Sequence, residues 1–324
     1  MQIVVLDEFG MNAENVARLK EYGDVRVFRD EPAGADEIVR RASDADVILC
    51  GWTRIDDEAL SRLPGLRLVS VGSTGLDEID VGAASARGVA VSHVPSYATN
   101  AVAELALGLM LAVLRRIPAA DRHVRATQRM DWQAFQGNEL RGKTLGVVGT
   151  GVIGRRVAWL GHGFGMDLLG CDVRPSEAMV DELGMRYASL PDVVAQSDVV
   201  TLHMPLAAGT EELIDAALLR LMRPRAVLIN TARAQLVKQQ DLYDALAAGT
   251  IAGAGLDVVD LECESGPKLL ALDTVVCTPH IGFNTPEAAG KLTEVATENV
   301  ARFLDGAPEN IVNPEVLPVP RSAG

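Results

Sequence analysis

The second half of the chain sets polar, ionisable residues directly after short apolar runs, an arrangement suited to acid–base chemistry on a small acid. Arg233 closes Asn230-Thr231-Ala232-Arg233, which follows the run Val227 to Asn230. Asp257, Asp260 and Glu262 come after Ala252 to Leu256, and His280 stands in Thr278-Pro279-His280-Ile281-Gly282, after Val275 to Thr278. If those runs are parallel strands, the groups lie at their carboxyl ends, where open α/β sheets bind ligands. An arginine, a histidine and a glutamate are what reversible reduction of a keto acid needs. The guanidinium can grip a carboxylate or polarise a carbonyl with a planar, permanently charged fork. The imidazole gives a proton to the developing alkoxide and takes it back in the oxidation direction. A carboxylate beside it favours the imidazolium form, and no metal is required. Each residue alone has an ordinary structural explanation in a loop; three at successive strand mouths are harder to explain that way.

Such a reaction needs a hydride donor, and a glycine fingerprint, GTGVIG at Gly149 to Gly154, offers a site for one. It lies between a strand-like run, Thr144 to Val148, and a helical pattern, Arg155 to Phe164. Gly149 allows a tight turn, Gly151 lets the backbone approach a pyrophosphate, and Gly154 lets the helix pack closely on the strand. Val152 and Ile153 open a helix whose free N–H groups and positive dipole end face the phosphates. Asp172 then closes the second strand, where a carboxylate accepts hydrogen bonds from the ribose hydroxyls and repels a 2′-phosphate. NAD is therefore favoured over NADP, although Arg174 lies near enough to soften the discrimination.

These groups must be carried by alternating strands and helices, and the sequence has that rhythm twice. Strands are expected at Ile3 to Leu6, Val25 to Phe28, Val47 to Cys50, Leu68 to Val71 and Val89 to Ser92, and again at Thr144 to Val148, Asp167 to Cys171, Val199 to Leu202, Val227 to Asn230, Ala252 to Leu256 and Val275 to Thr278. The expected fold is α/β, with two doubly wound parallel-sheet domains, one flavodoxin-like and one Rossmann, and a substrate cleft between them. A helix from about Asn100 to Arg116 carries the chain across, and the helical segment Pro286 to Leu304 returns it. The substrate-binding domain is thus expected to comprise 1–98 and 286–324, and the dinucleotide-binding domain 99–285.

With 324 residues, 48% of them hydrophobic and 23% charged, the composition is that of a globular protein long enough for two cores. A net charge of −14 argues against a nucleic-acid partner. The start lacks the pattern of a signal peptide, and the longest apolar stretch, Leu105 to Leu114, is too short to span a bilayer. A cytoplasmic location without membrane attachment is the resulting expectation. Cys50, Cys171, Cys263 and Cys277 have neither metal-ligand spacing nor a disulfide framework and are read as mostly buried, reduced thiols.

Several separate motifs make the chain resemble the D-isomer-specific 2-hydroxyacid dehydrogenases over nearly its whole length. They are VGSTGLDEIDVGAASARGV from Val71, VPSYATNAVAELALGLML from Val94, the fingerprint at Gly149, LHMPL from Leu202, INTAR from Ile229, GLDV from Gly255 and TPHIG from Thr278. The resemblance implies that Arg233 orients the substrate, that His280 is the general acid/base and that Glu262 is its partner. It implies that the backbone amides of Ser73, Thr74 and Gly75 hold the substrate carboxylate. On the cofactor side it implies His203, Pro205, Thr210 and Thr231, with Asp257 at the nicotinamide amide. It also implies a homodimer in which the helix beginning near Asn100 packs across the two-fold axis. Glu262, rather than the glutamine of the formate dehydrogenases in this family, argues for the hydroxyacid branch. The Ser73-Thr74-Gly75 loop and VPSY look most like the glycerate dehydrogenase or hydroxypyruvate/glyoxylate reductase branch. Gly51-Trp52 stands where phosphoglycerate dehydrogenases usually offer arginines; Trp52 is either a wall of the pocket or core filler.

The chain also departs from that family. Ala234 and Gln235 replace glycines after the arginine, Lys238 replaces an acid or Asn, Cys263 stands where proline is usual, and Phe283-Asn284 replace small residues. Loss of the permissive glycines is expected to alter the turn that presents Arg233. Two alternatives follow from these departures: an NADH-sensing binding protein without turnover, or a reductase of an unusual keto acid such as a phosphonate, with Lys238 as counter-charge.

Overall fold

The structure, a computed structural model, describes residues 1–317. The chain divides into two compact units, residues 1–97 with the chain from Thr285 onward, and residues 98–284. Residues 318–324 of the expected first domain lie outside the described residues.

In the first unit, β1 (Gln2–Val5), β2 (Asp24–Val27), β3 (Val47–Cys50), β4 (Leu68–Val71) and β5 (Ala90–Ser92) form a parallel sheet in the order β2-β1-β3-β4-β5. That is the flavodoxin-like order. Its strands are nearly all apolar because both faces are covered. Val4, Ile48, Val69 and Val91 point into one core, and Ile3, Val5, Leu49 and Leu68 into the other, following the two-residue period of a strand. Leu292, Ala296 and Val300 of the helix Pro286–Leu304 complete the second core. That helix starts where sequence places it: Thr285 caps the Ala288 amide and Pro286 occupies the first turn. After it, Ile311 pairs antiparallel with Ser92, and buried Asn313 bonds to both Val91 N and Val89 O, covering the free edge of β5.

The second unit carries β6 (Thr144–Val148), β7 (Asp167–Cys171), β8 (Arg186–Tyr187), β9 (Val199–Leu202), β10 (Val227–Asn230), β11 (Gly253–Leu256) and β12 (Val275–Cys277). Their order, β12-β11-β10-β9-β6-β7-β8, is parallel throughout and reverses between β6 and β9, the switch point of a Rossmann-type sheet. The helices Thr99–Leu114 and Val152–Gly163 pack one face through Ala103, Ala106, Met110, Val157 and Ala158. Every expected strand is present, most to within a residue. β8 was not anticipated, because two residues are too short to show a period. Cys50 is buried, but Cys277 is exposed, so the four free cysteines are not uniformly interior. Among the described residues no helix is long and apolar enough to cross a membrane.

Candidate active site

The glycine fingerprint sits at the switch point. Gly149 has φ +89°, and a Cβ there would stand 2.7 Å from the His203 carbonyl carbon, so the turn requires glycine for both reasons. At Gly154 a Cβ would meet the Gly149 oxygen at 1.9 Å, which is how the helix Val152–Gly163 comes so close to its strand. Gly151, by contrast, faces open space at the N-cap of that helix, with exposed Val152 and partly buried Ile153 behind it. Asp172 accepts from the Thr150 amide at 2.6 Å and the Arg174 amide at 2.8 Å. Burial pushes its carboxyl up, but the two amide bonds, the Thr150 hydroxyl and the Arg155 charge together outweigh that effect and hold it below the usual carboxylate value.

Across the switch point, His203 Nε2 lies 2.8 Å from Thr201 Oγ1, and burial pushes the imidazole down to about 3. The ring is neutral at pH 7 and is suited to packing rather than proton transfer. Pro205 O accepts from the Thr210 hydroxyl at 3.1 Å, and the same hydroxyl accepts the Ala207 amide at 2.8 Å, closing the turn after β9.

Asn230, 1% exposed at the end of β10, shapes the turn that carries Arg233. Its Oδ1 accepts the Ala232 amide at 3.0 Å and its Nδ2 donates to Arg233 O at 2.8 Å. The next three residues, Ala234–Leu236, form a 3₁₀ turn in which no residue has positive φ, so Ala234 and Gln235 fit without the glycines of the family pattern. Lys238 Nζ is 3.9 Å from Asp241 Oδ2 in the first turn of its own helix, so its charge is already opposed.

Asp257 follows β11 and is 1% exposed. Its Oδ1 accepts the Thr278 hydroxyl at 2.5 Å and the Ile281 amide at 2.9 Å, and its Oδ2 accepts the Gly282 amide at 2.8 Å. The resemblance implies that this carboxylate serves the nicotinamide amide; within the protein its bonds go to the turn around His280. His280 is exposed and left-handed at φ +54°, and its ring meets Phe283 edge-on at 5.8 Å. Glu262 is also exposed, and its backbone amide donates to Asp260 Oδ1. Among the described residues no hydrogen bond or ion pair joins the Glu262 and His280 side chains.

The first unit holds its own polar loop. Thr74 Oγ1 donates to Val94 O at 2.8 Å and Val94 N to Ser73 O at 2.9 Å, while the Ser73 hydroxyl bonds to Gly75 O. None of the amides of Ser73, Thr74 and Gly75 meets a protein acceptor among the described residues, so all three remain able to donate to a bound group. Buried Asp7, which sequence reading passed over, accepts the amides of Gly51, Trp52 and Thr53 and the Thr53 hydroxyl. Trp52 is held on that loop 40% exposed, so it is not core filler.

Comparison with known proteins settles the family. Residues 107–282 match the profile described as D-isomer specific 2-hydroxyacid dehydrogenase, NAD binding domain. The chain is 37% identical over 311 residues to a glyoxylate reductase of Korarchaeum cryptofilum, covering 94% of each. The chain belongs to the D-isomer specific 2-hydroxyacid dehydrogenase family. A hydroxypyruvate reductase of Blautia hydrogenotrophica is 32% identical over 325 residues, covering 97% of this chain and 100% of that one. In structure it is similar to an acyclic imino acid reductase in complex with NADPH and D-Arg, with a TM-score of 0.88 at 33% identity over 96% of this chain and 100% of that one. As a family member it is an oxidoreductase that transfers hydride between NAD and a small 2-keto or 2-hydroxy acid. Its own residues fit the cofactor. Thr231 Oγ1 is buried with no partner among the described residues, Gly151 leaves room at a helix N-terminus, and Asp172 presents a carboxylate held by the Thr150 amide, next to Gly151.

Proposed function

We propose that this dehydrogenase reduces glyoxylate and hydroxypyruvate with NADH, with Arg233 orienting the keto acid, His280 as general acid and Glu262 as its partner. The observation that carries the reading is the placement of Arg233 and His280 on separately fixed turns after β10 and β12, one held by Asn230 and the other by Asp257. Bound NADH supplies the hydride. The Arg233 fork holds the carboxylate and polarises the carbonyl. His280 donates a proton to the oxygen as negative charge develops there, with Glu262 as its partner. The amides of Ser73, Thr74 and Gly75 grip the substrate carboxylate, and Trp52 limits the substituent the pocket accepts. His203, Pro205, Thr210 and Thr231 lie on the cofactor side. In this scheme residues 1–97 with the C-terminal helix bind substrate, and residues 98–284 bind NAD.

The reading includes a homodimer in the cytoplasm. Its support is the family resemblance together with exposed apolar side chains along and just beyond the helix Ile117–Thr127, Ile117 and Val124 within it and Met130 and Trp132, 82% and 76% exposed, after it. Light scattering that finds a monomer at micromolar concentration overturns that part.

Mixing the purified protein with NADH or NADPH and a panel of glyoxylate, hydroxypyruvate, pyruvate, phenylpyruvate and 3-phosphohydroxypyruvate tests the substrate. Turnover of the first two with NADH is expected, and His280→Ala abolishes it while NADH binding survives. Silence across the panel despite NADH binding overturns the substrate assignment. Turnover only when an amine is added with NADPH moves the chain toward imine reduction.

A further inference from the structure

We propose that Gln239 is a positioning residue that sets the Glu262 backbone through a two-sided amide clamp on Asp260. The inference rests on the reading of Glu262 as the partner of His280. Between β11 and the short helix Ser265–Leu270 the chain runs without regular structure, and the exposed Glu262 sits in that stretch. A side chain from a different element braces it. Gln239 opens the helix Gln239–Ala247, six positions after Arg233. Its Oε1 accepts the Asp260 amide at 2.8 Å and its Nε2 donates to the Asp260 carbonyl at 2.9 Å, so the primary amide pairs with both main-chain groups of one residue as a neighbouring strand would. The same NH₂ also faces Cys263 Sγ, on the far side of Glu262. Asp260 passes the restraint on, because its Oδ1 accepts the Glu262 amide at 2.9 Å.

The chemistry selects glutamine. A primary amide sets an acceptor oxygen and a donor NH₂ side by side, the spacing of a residue's own N–H and C=O; a carboxylate lacks the donors, and a thioether or methyl offers neither useful partner. The clamp touches the residues on both sides of Glu262 and leaves its carboxylate free to face outward. It also accounts for one departure from the family pattern: Cys263, where proline is usual, presents a sulfur to the Gln239 amide. Because Gln239 starts the helix that follows the Arg233 turn, one short segment fixes the placement of both groups. The Val237–Ile214 bridge anchors that segment one residue before Lys238.

The test compares wild type with Gln239→Met, Gln239→Glu, Glu262→Gln and the double variant Gln239→Met/Glu262→Gln. It reads kcat and KM for glyoxylate with NADH against pH, NADH affinity by fluorescence, and thermal unfolding. Gln239→Met is expected to lower kcat by about tenfold with KM and NADH affinity within about twofold, as for a misplaced rather than missing group. The pH at which its kcat falls moves in the same direction as in Glu262→Gln. Gln239→Glu, which keeps only the bond to the Asp260 amide, is intermediate and gives the comparison even if Gln239→Met folds poorly. In the double variant Gln239→Met costs little beyond Glu262→Gln alone, because the two act as one unit. Gln239→Met with normal kcat and pH profile, or with lowered unfolding temperature alone, overturns the clamp, as does full additivity in the double variant. An unaltered Glu262→Gln profile instead overturns the Glu262 reading, and this proposal with it.

Discussion

His280 donates its backbone amide to the carbonyl oxygen of Asp257 at 2.9 Å, while the Asp257 carboxylate accepts the next two amides, those of Ile281 and Gly282. One buried residue thus grips three consecutive peptide units and adds the Thr278 hydroxyl on the other side. The grip has a conformational purpose. His280 has φ +54°, a backbone region that side-chain-bearing residues visit at some cost and keep only when their surroundings over-determine it. Asp257 supplies that over-determination, and the imidazole is aimed without its own nitrogens being used for anchoring.

Asp257→Asn should separate this clamp from a contact with the nicotinamide. The asparagine NH₂ must face at least one of the donors that the carboxylate now accepts, leaving it unpaired at a cost of about 1–3 kcal/mol. A turn displaced by about 1 Å can lower kcat by about 10²-fold. Expected, therefore, are a lower unfolding temperature and a large fall in kcat with NADH affinity nearly unchanged. Loss of NADH affinity matching the loss of kcat places Asp257 on the cofactor instead.

Two glycines three positions apart should respond in opposite ways to the same methyl group. In Gly154→Ala the new Cβ meets the Gly149 oxygen at 1.9 Å, so the helix must shift, and stability falls by about 1–3 kcal/mol. In Gly151→Ala it meets nothing within 4 Å and the backbone is already at φ −65°, so unfolding is unchanged. The methyl instead occupies the space a pyrophosphate needs. Calorimetry with NADH titration should find Gly151→Ala well folded with affinity weakened about tenfold or more. Tight NADH binding by Gly151→Ala moves the phosphate site elsewhere.

The Asp172 carboxylate should decide between the two nicotinamide cofactors. Fixed by the amides of Thr150 and Arg174, it cannot turn away from a 2′-phosphate. Asp172→Ala is expected to lower kcat/KM for NADH about tenfold while raising or sparing that for NADPH. Equal losses for both cofactors mean that the residue serves only to hold the Thr150 turn.

Strands, order and the glycine site were legible in the sequence because each depends on local pattern: apolar runs of strand length, and glycines between a strand and a helix. What sequence could not convey were side chains that act across the fold. Asp257 meets residues 278–282 only because β11 and β12 pair in register, with Leu256 opposite Cys277. Asn230 and Gln239 read as an ordinary strand end and helix start until the turns they brace are seen. The change from glycine at Ala234 and Gln235 is visible in residue type alone, whereas the backbone that goes with it, a 3₁₀ turn without positive φ, is not. The resemblance pointed to Glu262 beside His280, and their side chains, both exposed, are not bonded to each other.

His203 should leave a measurable mark on acid stability. Burial pushes its imidazole down to about 3, against about 6.5 for the unfolded chain, so between those values the unfolded state holds a proton that the folded state does not. Stability is complete above about pH 6.5 and is lost as pH falls toward the folded value. Among carboxylates, Glu37 is lowered to about 2, chiefly by the Ala33 amide, and Asp215 by the Leu218 amide. Their contributions are present above about pH 4 and disappear below it, so the window from about pH 6.5 to 4.5 isolates the histidine. Over that window wild type should lose about 1–2 kcal/mol relative to His203→Gln, which cannot titrate there and can still bond to Thr201. Urea unfolding of the two proteins at several pH values checks this. Parallel curves mean that the ring reaches water and protonates in the folded chain as it does in the unfolded one.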